Sequence, residues 1–173
     1  HDLQKNHNII VFSERQLKQL DILFPACDFV FSKEKSYTEI KKELCGDLDG
    51  AIVSGLYYQL NFKDNPEYAY IPIHPSELIP APGHGVIAFI CHKEDFSTRS
   101  LLNKVHNRKI VQIVNNERMV LKIAGKKYKN SLGVYCYEDN RNNFHILGCL
   151  TDPETRCRFS QSICSGLGSK VFD

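Results

Sequence analysis

Hydrophobic and polar positions in the first 60 residues follow two different periods. The short apolar run Asn8–Phe12 predicts a buried strand, and Asp28–Ser32 predicts a second short strand. Between them, three leucines recur at helical spacing behind Ser13, whose hydroxyl suits a helix N-cap. A second helical pattern covers Ser36–Gly46, and Asp49–Leu60 has the pattern of a strand that leads into a short helix. The order strand, helix, strand, helix, strand predicts right-handed βαβ units with a parallel sheet.

The middle of the chain has no regular period. The stretch Asn65–Gly85 contains five prolines and two glycines, which exclude a long helix or strand. We expect it to connect two lobes. The apolar run Val86–Glu94 that follows is predicted to be a strand.

The last third of the chain changes character. Asp95–Asn107 and Arg108–Gly125 carry apolar residues at helical spacing. Three short strand patterns follow, the first two separated by a polar turn. We therefore predict a small α+β domain with a three-stranded antiparallel sheet. The three strand patterns are Leu132–Glu138, Asn143–Thr151 and Thr155–Gln161.

Composition places the chain among soluble globular proteins. Of its 173 residues 42% are hydrophobic and 24% charged, and no apolar run is long enough for a membrane span. The net charge of +2 gives no whole-chain indication of nucleic-acid or membrane binding, and neither partner is expected. The local cluster Lys122, Lys126, Lys127 and Lys129 has the composition of a solvated loop.

The cysteines number seven, and no pair has CxxC spacing or a histidine at zinc-ligand spacing. Most lie among apolar neighbours, where a thiol behaves as a small core residue. We expect buried free thiols, no metal site, and a reducing compartment such as the cytoplasm or an organelle interior.

Two features are candidates for chemistry. Gly83, His84 and Gly85 follow closely spaced prolines, so the backbone there can approach another surface or a ligand. The stretch has no phosphate-loop signature, and a rigid hinge is the simpler interpretation. Arg15, at the first strand–helix turn, is either an anion ligand at a helix N-terminus or a surface arginine.

Five segments, in this order and spacing, resemble the hydroxymethylbilane synthase (porphobilinogen deaminase) family. "SERQLKQL" resembles the family's "SLRRxxQL", and "DGAIVSGLYYQL" its "DAIVLAxAGLxRL". "LIPAPGHGVIAFICHKED" is similar to its leucine–proline–alanine–proline–glycine–glutamine–glycine stretch, with His84 in place of the glutamine. "NNERMVLKIAG" with "LGVY" resembles "AERAFLxxLxGGCxxPIGxY", and "LGCLTDPET" resembles "LxGxVxxPDG".

The resemblance implies a domain organisation. Residues 1–79 would form an α/β lobe of periplasmic-binding-protein type, like the family's second domain. Residues 80–94 would be a hinge and a crossing strand, and residues 95–173 an α+β domain like the family's third. We expect no counterpart of the family's first domain, which carries its catalytic aspartate, and hence no catalytic residue. The crossing strand Val86–Ile90 would then need another chain, or a second copy, to cover its edge.

The resemblance also implies where a cofactor would be held. The family attaches dipyrromethane to a cysteine and grips its carboxylates with arginines. The cysteine position is Tyr128 here, and a phenol forms no thioether. Arg15 matches the first arginine of the family's pair, whereas Gln16 replaces the second and Glu39 stands where another arginine is expected. Lys33 and Lys35 are the nearby cationic candidates, and Gly83, His84 and Gly85 complete the set.

These substitutions favour a deaminase-like protein without synthase activity and without a covalent dipyrromethane. Two alternatives remain open from the sequence. The chain is the C-terminal part of a split or cleaved active synthase, or it is an anion- or small-molecule-binding module that uses the hinge cleft.

Overall fold

The structure is a computed structural model. It describes residues 7–32, 37–44, 46, 48–151 and 156–163. It contains one parallel and one antiparallel sheet, with a long irregular connection between them.

The N-terminal part is an α/β unit, as predicted. Its three strands are parallel in the order β2-β1-β3, so the central strand is the first in the chain. Ile9, Ile10 and Val11 of that strand are buried, and both of its edges are paired. Ser13 caps the first helix by accepting a hydrogen bond from the Gln16 N–H at 3.1 Å, as expected. The elements are β1 Asn8–Val11, α1 Glu14–Leu23, β2 Asp28–Phe31, α2 Tyr37–Leu44, β3 Gly50–Ala51 and α3 Gly55–Asn61.

Residues 62–95 contain no helix or strand, in keeping with their prolines. The strand predicted over Val86–Glu94 is not formed, which corrects the prediction for this chain taken alone. A strand requires a partner for its backbone groups, and within the described residues no other strand pairs with this segment.

The C-terminal part is an α+β unit whose antiparallel sheet has the order β4-β5-β6. The long helix begins at Asn107, whose side chain accepts from the N–H groups of Lys109 and Ile110, and ends at Gly125 with φ of 91°. A 3₁₀ turn, Lys126–Tyr128, follows it. The elements are α4 Phe96–Asn103, α5 Arg108–Ala124, β4 Leu132–Glu138, β5 Phe144–Thr151 and β6 Arg156–Ile163.

The main core lies between α5 and one face of the antiparallel sheet. Side chains alternate between the two faces of a strand, so Leu132, Val134 and Cys136 point to α5 while Gly133 points away. Gly133 is paired in register with Cys149, which therefore shares the second face. The second face meets α1 of the α/β unit, since Arg15 of that helix interacts electrostatically with Cys149, and Lys18 Nζ also reaches the Thr151 carbonyl at 3.4 Å.

None of the helices in the described ranges combines the length and the apolar character needed to cross a bilayer.

Candidate functional site

The connection between the two units is tied down at residues Ile79–Gly83, called here the strap. β4 is the edge strand of its sheet, so its outward N–H groups need acceptors. The Pro80 carbonyl accepts from the Val134 N–H at 2.8 Å. The predicted hinge therefore begins as a segment bonded along the edge of a sheet.

Two side chains of α1 hold the strap from the other side. Gln19, which is buried, donates from Nε2 to the Ile79 carbonyl and accepts from the Ile79 N–H, both at 2.9 Å. Arg15 is also buried, and its Nη1 donates to the same carbonyl. Burial lowers the pKa of Arg15, and the charge interaction with Cys149 opposes that shift. One face of α1 thus satisfies the backbone of the strap.

Glu117 of α5 is the third attachment. It is 6% exposed, and its Oε2 accepts from the Gly83 N–H at 2.6 Å. Its Oε1 accepts from the Cys136 N–H, the next outward donor on β4, at 2.9 Å. Burial raises the pKa of Glu117, while these two backbone donors oppose the shift. One carboxylate therefore joins strap, helix and edge strand.

The close approach of the strap to β4 explains Gly133. A Cβ at this position would lie 2.7 Å from the Ile79 carbonyl oxygen and 3.2 Å from the Ile79 Cβ. Any side chain would force the strap away from the sheet. Gly133 is the glycine of "LGVY", so its identity follows from the junction.

Tyr128, at the predicted anchor position, ends the 3₁₀ turn behind α5. Its partly buried ring packs against the core cluster of β4 and β5, and Lys127 Nζ lies 4.4 Å from the ring centroid. Lys126 and Lys127 form the rest of the turn. The aromatic ring fills the end of the core.

The remaining predicted site residues lie in different settings. Gln16 accepts from the Phe12 N–H at 3.2 Å, so it stabilises the start of α1 instead of offering a charge. Glu39 is exposed on α2. Lys33 and Lys35 lie outside the described residues. Their proposed part in cofactor binding stays a prediction.

Gly83 and Gly85 both have positive φ, at 73° and 79°, which agrees with the expectation that glycine is needed there. His84 between them is exposed, and its N–H donates to the Ala81 carbonyl at 3.0 Å. Of the predicted set, Arg15 and Gly83 both take part in holding the strap, Arg15 at Ile79 and Gly83 through Glu117. Tyr128 belongs to the opposite face of the antiparallel sheet, because it packs on the α5 side whereas Arg15 lies on the Cys149 side.

Two residues that hold the strap, Gln19 and Glu117, were not singled out in the sequence. Each carries a recognisable signal, since each is polar within the apolar stripe of an amphipathic helix. Cys27, Cys136 and Cys149 are buried and Cys91 is half-buried, and none of these four thiols forms a disulfide. In the same ranges no group of three metal-ligating side chains is assembled.

Comparison with known proteins agrees with the motifs. No family model matches the chain. Porphobilinogen deaminase of Staphylococcus carnosus is 25% identical over 177 aligned residues, which cover 99% of this chain and 57% of that protein. Porphobilinogen deaminase of Staphylococcus saprophyticus is 23% identical, and the alignment covers 94% of this chain and 52% of that protein. Porphobilinogen deaminase of Rickettsia akari is 25% identical, and the alignment covers 68% of this chain and 38% of that protein.

The chain therefore spans about half the length of the curated relatives it matches. The predicted resemblance to porphobilinogen deaminases is confirmed over nearly the whole chain.

Proposed function

We propose that this chain is a porphobilinogen deaminase-like protein of the tetrapyrrole-pathway kind that has no synthase activity of its own. The observation that carries the proposal is the presence and packing of a tyrosine at position 128. It stands where the resemblance calls for the cofactor cysteine, and its ring packs against the core. Dipyrromethane attachment needs a thiolate, and a phenol with a packed ring supplies none.

The neighbouring thiol does not replace it. Cys136 is eight residues further along, on the core side of β4, and is 2% exposed. Burial raises the pKa of Cys136 to about 11, so the thiolate is scarce at neutral pH. A covalent link there would also require the core to open.

The contacts of the arginine positions support the same conclusion. Arg15 is occupied by the strap, Gln16 by the start of α1, and Glu39 brings a negative charge to a position where the family holds carboxylates. The carboxylate of Glu39 would repel the carboxylates of the cofactor. Arg15 gives the anion-binding alternative no support either, because its guanidinium is turned to the Ile79 carbonyl.

The proposal is tested by intact mass and by Ehrlich's reagent on the purified full chain, with a dipyrromethane-carrying protein as positive control. We expect no pyrrole colour and a mass equal to that of the polypeptide. A colour reaction with a mass excess of two linked pyrrole units would overturn it. Turnover of porphobilinogen by the chain alone would overturn it equally.

The split or cleaved synthase has one observation in its favour. The apolar segment Val86–Ile90 is open to solvent, with Ile87 82%, Phe89 62% and Ile90 95% exposed. Isolated exposed apolar residues are common, but a run of this kind marks a contact surface. We infer that a second polypeptide, or a second copy of the chain, covers it by strand pairing.

The covering partner is tested with light scattering at high concentration and with a search for a co-purifying polypeptide. The double variant Ile87→Asp, Ile90→Asp should abolish the association without loss of folding. The matched control is Leu56→Asp, Leu60→Asp on α3, where both side chains are at least 70% exposed. A wild-type chain that stays monomeric and partner-free would contradict this inference but leave the absence of dipyrromethane untouched.

A further inference from the structure

The charges of this chain are segregated along its sequence. Residues 104–137 hold eight of the 22 lysine and arginine residues but only one of the 20 acidic residues. That acidic residue, Glu117, is buried against the strap. The rest of the chain is therefore net negative, although the whole chain is close to neutral. A solvated loop does not account for this segregation, because half of these eight charges lie on the helix α5.

The helix α5 has two distinct faces. Its inner face, with Ile113, Val120, Leu121 and Ala124, packs on the sheet. The positions 108, 111, 115, 118 and 122 recur at helical spacing on the outer face. All five are exposed, and at about 1.5 Å per residue the helix is roughly 25 Å long.

The outer face mixes positive charge with apolar side chains. Arg108, Arg118 and Lys122 are exposed there, and exposed Lys126 and Lys129 follow beyond the end of the helix. We call the basic face the set of these five residues with the apolar residues Val111, Met119 and Ile123. The exposed fractions of the three apolar side chains are 37%, 38% and 66%.

We propose that the basic face of α5 docks on an anionic lipid surface. Lysine and arginine attract anionic head groups, and the apolar side chains between them can enter the head-group layer. The net-negative remainder of the chain would be repelled, which orients the molecule with α5 towards the lipid. One exposed helix face can lie on a lipid bilayer, because a flat surface does not have to match the shape of the protein.

A nucleic acid fits the same face less well. Its phosphates would leave the apolar side chains without a partner, and the bases of a single strand stack on exposed aromatic rings. Tyr128, the ring beside the lysines, packs against the core instead. Surface docking needs no membrane-spanning helix. This inference is independent of whether the chain has synthase activity.

The test is flotation of the full chain with phosphatidylcholine vesicles that contain about 30% phosphatidylserine, at about 0.1 M salt. Binding is expected with these vesicles and not with phosphatidylcholine alone. The triple variant Arg118→Gln, Lys122→Gln, Lys126→Gln should bind at least tenfold more weakly. The triple variant Lys42→Gln, Lys63→Gln, Lys93→Gln removes the same charge from exposed sites elsewhere and should stay within about twofold of wild type.

A substitution that leaves the net charge unchanged distinguishes binding to lipid from binding to other polyanions. Ile123→Gln keeps the charge and a good helix former, and it should weaken vesicle binding several-fold. No binding to the anionic vesicles, or an equal loss in both triple variants, would overturn the proposal. So would an unaffected Ile123→Gln variant together with capture of duplex DNA or polyglutamate at the same salt.

Discussion

The N–H of Gly83 donates to Glu117 Oε2 across 2.6 Å, and the other oxygen of that carboxylate accepts from Cys136 at 2.9 Å. A helix, an edge strand and the connection between the two units thus share one side chain. Because Gly83 has a positive φ, the backbone of the strap can present its N–H there without strain.

Removing this carboxylate should destabilise the chain. Glu117→Ala leaves the buried Cys136 N–H and the partly buried Gly83 N–H without this acceptor, and we expect a loss of roughly 2–4 kcal/mol in the free energy of unfolding. Glu117→Gln keeps one acceptor oxygen and should lose less. Urea denaturation of both variants measures this, with exposed Glu94→Ala as the control, expected within about 0.5 kcal/mol of wild type. Equal stabilities of Glu117→Ala and wild type would contradict the assigned contacts.

Gly133 should tolerate no side chain. Gly133→Ala places a Cβ against the Ile79 carbonyl, and we expect it to cost about 1–3 kcal/mol of stability. Amide hydrogen exchange should also become faster at Val134, whose N–H bonds to Pro80. The control is Gly50→Ala, where the added Cβ meets nothing closer than 3.9 Å. If both substitutions are equally mild, the strap does not pack on β4 as described.

Tyr128→Cys should restore the thiol but not the activity. Under the proposed function the other groups that would bind the cofactor's carboxylates are depleted as well, and groups that act together are not recovered one at a time. The substitution also removes a ring that packs on the core, so stability should fall by about 2–4 kcal/mol. Tyr128→Phe keeps the ring and serves as the structural control. Synthase assay, intact mass and thermal unfolding are the measurements, and turnover by Tyr128→Cys alone would contradict the expectation.

The turn between β4 and β5 should make stability depend on pH. His145 Nε2 lies 3.0 Å from Asp139 Oδ2, and this hydrogen bond is the largest cause of a lowered pKa of Asp139. The hydrogen bond from the Asn143 backbone is the next largest cause. A carboxyl whose folded-state pKa is lowered stabilises the fold above its unfolded value, about 3.9, and loses that effect as pH falls.

Asp139→Asn should therefore be less stable than wild type near pH 6, and the difference should shrink below about pH 4. Denaturant titration across this range measures it. The matched control is Asp64→Asn, an exposed aspartate in the irregular connection, whose stability we expect to stay within about 0.5 kcal/mol of wild type. A difference that is constant with pH would argue against the Asp139 contacts.

Much of the fold follows from the sequence because it is encoded locally. The apolar runs around Ile10, the N-cap at Ser13 and the period of α5 each depend on residues within one or two turns. They predicted both units and the antiparallel sheet. The order and spacing of five motifs predicted the resemblance, which the curated relatives confirm.

The tertiary structure alone decided what the side chains do. The sequence around Arg15 fits an anion ligand and a surface residue equally well. In the structure, its buried guanidinium donates to a carbonyl 64 positions away. Val86–Ile90 has the pattern of a strand, but a strand forms only beside another one, and none pairs with it within the described chain. Helix period, caps and composition are properties of neighbouring residues. Contacts such as Gln19 with Ile79, or Glu117 with Gly83, depend on how distant elements pack, and local patterns do not contain that information.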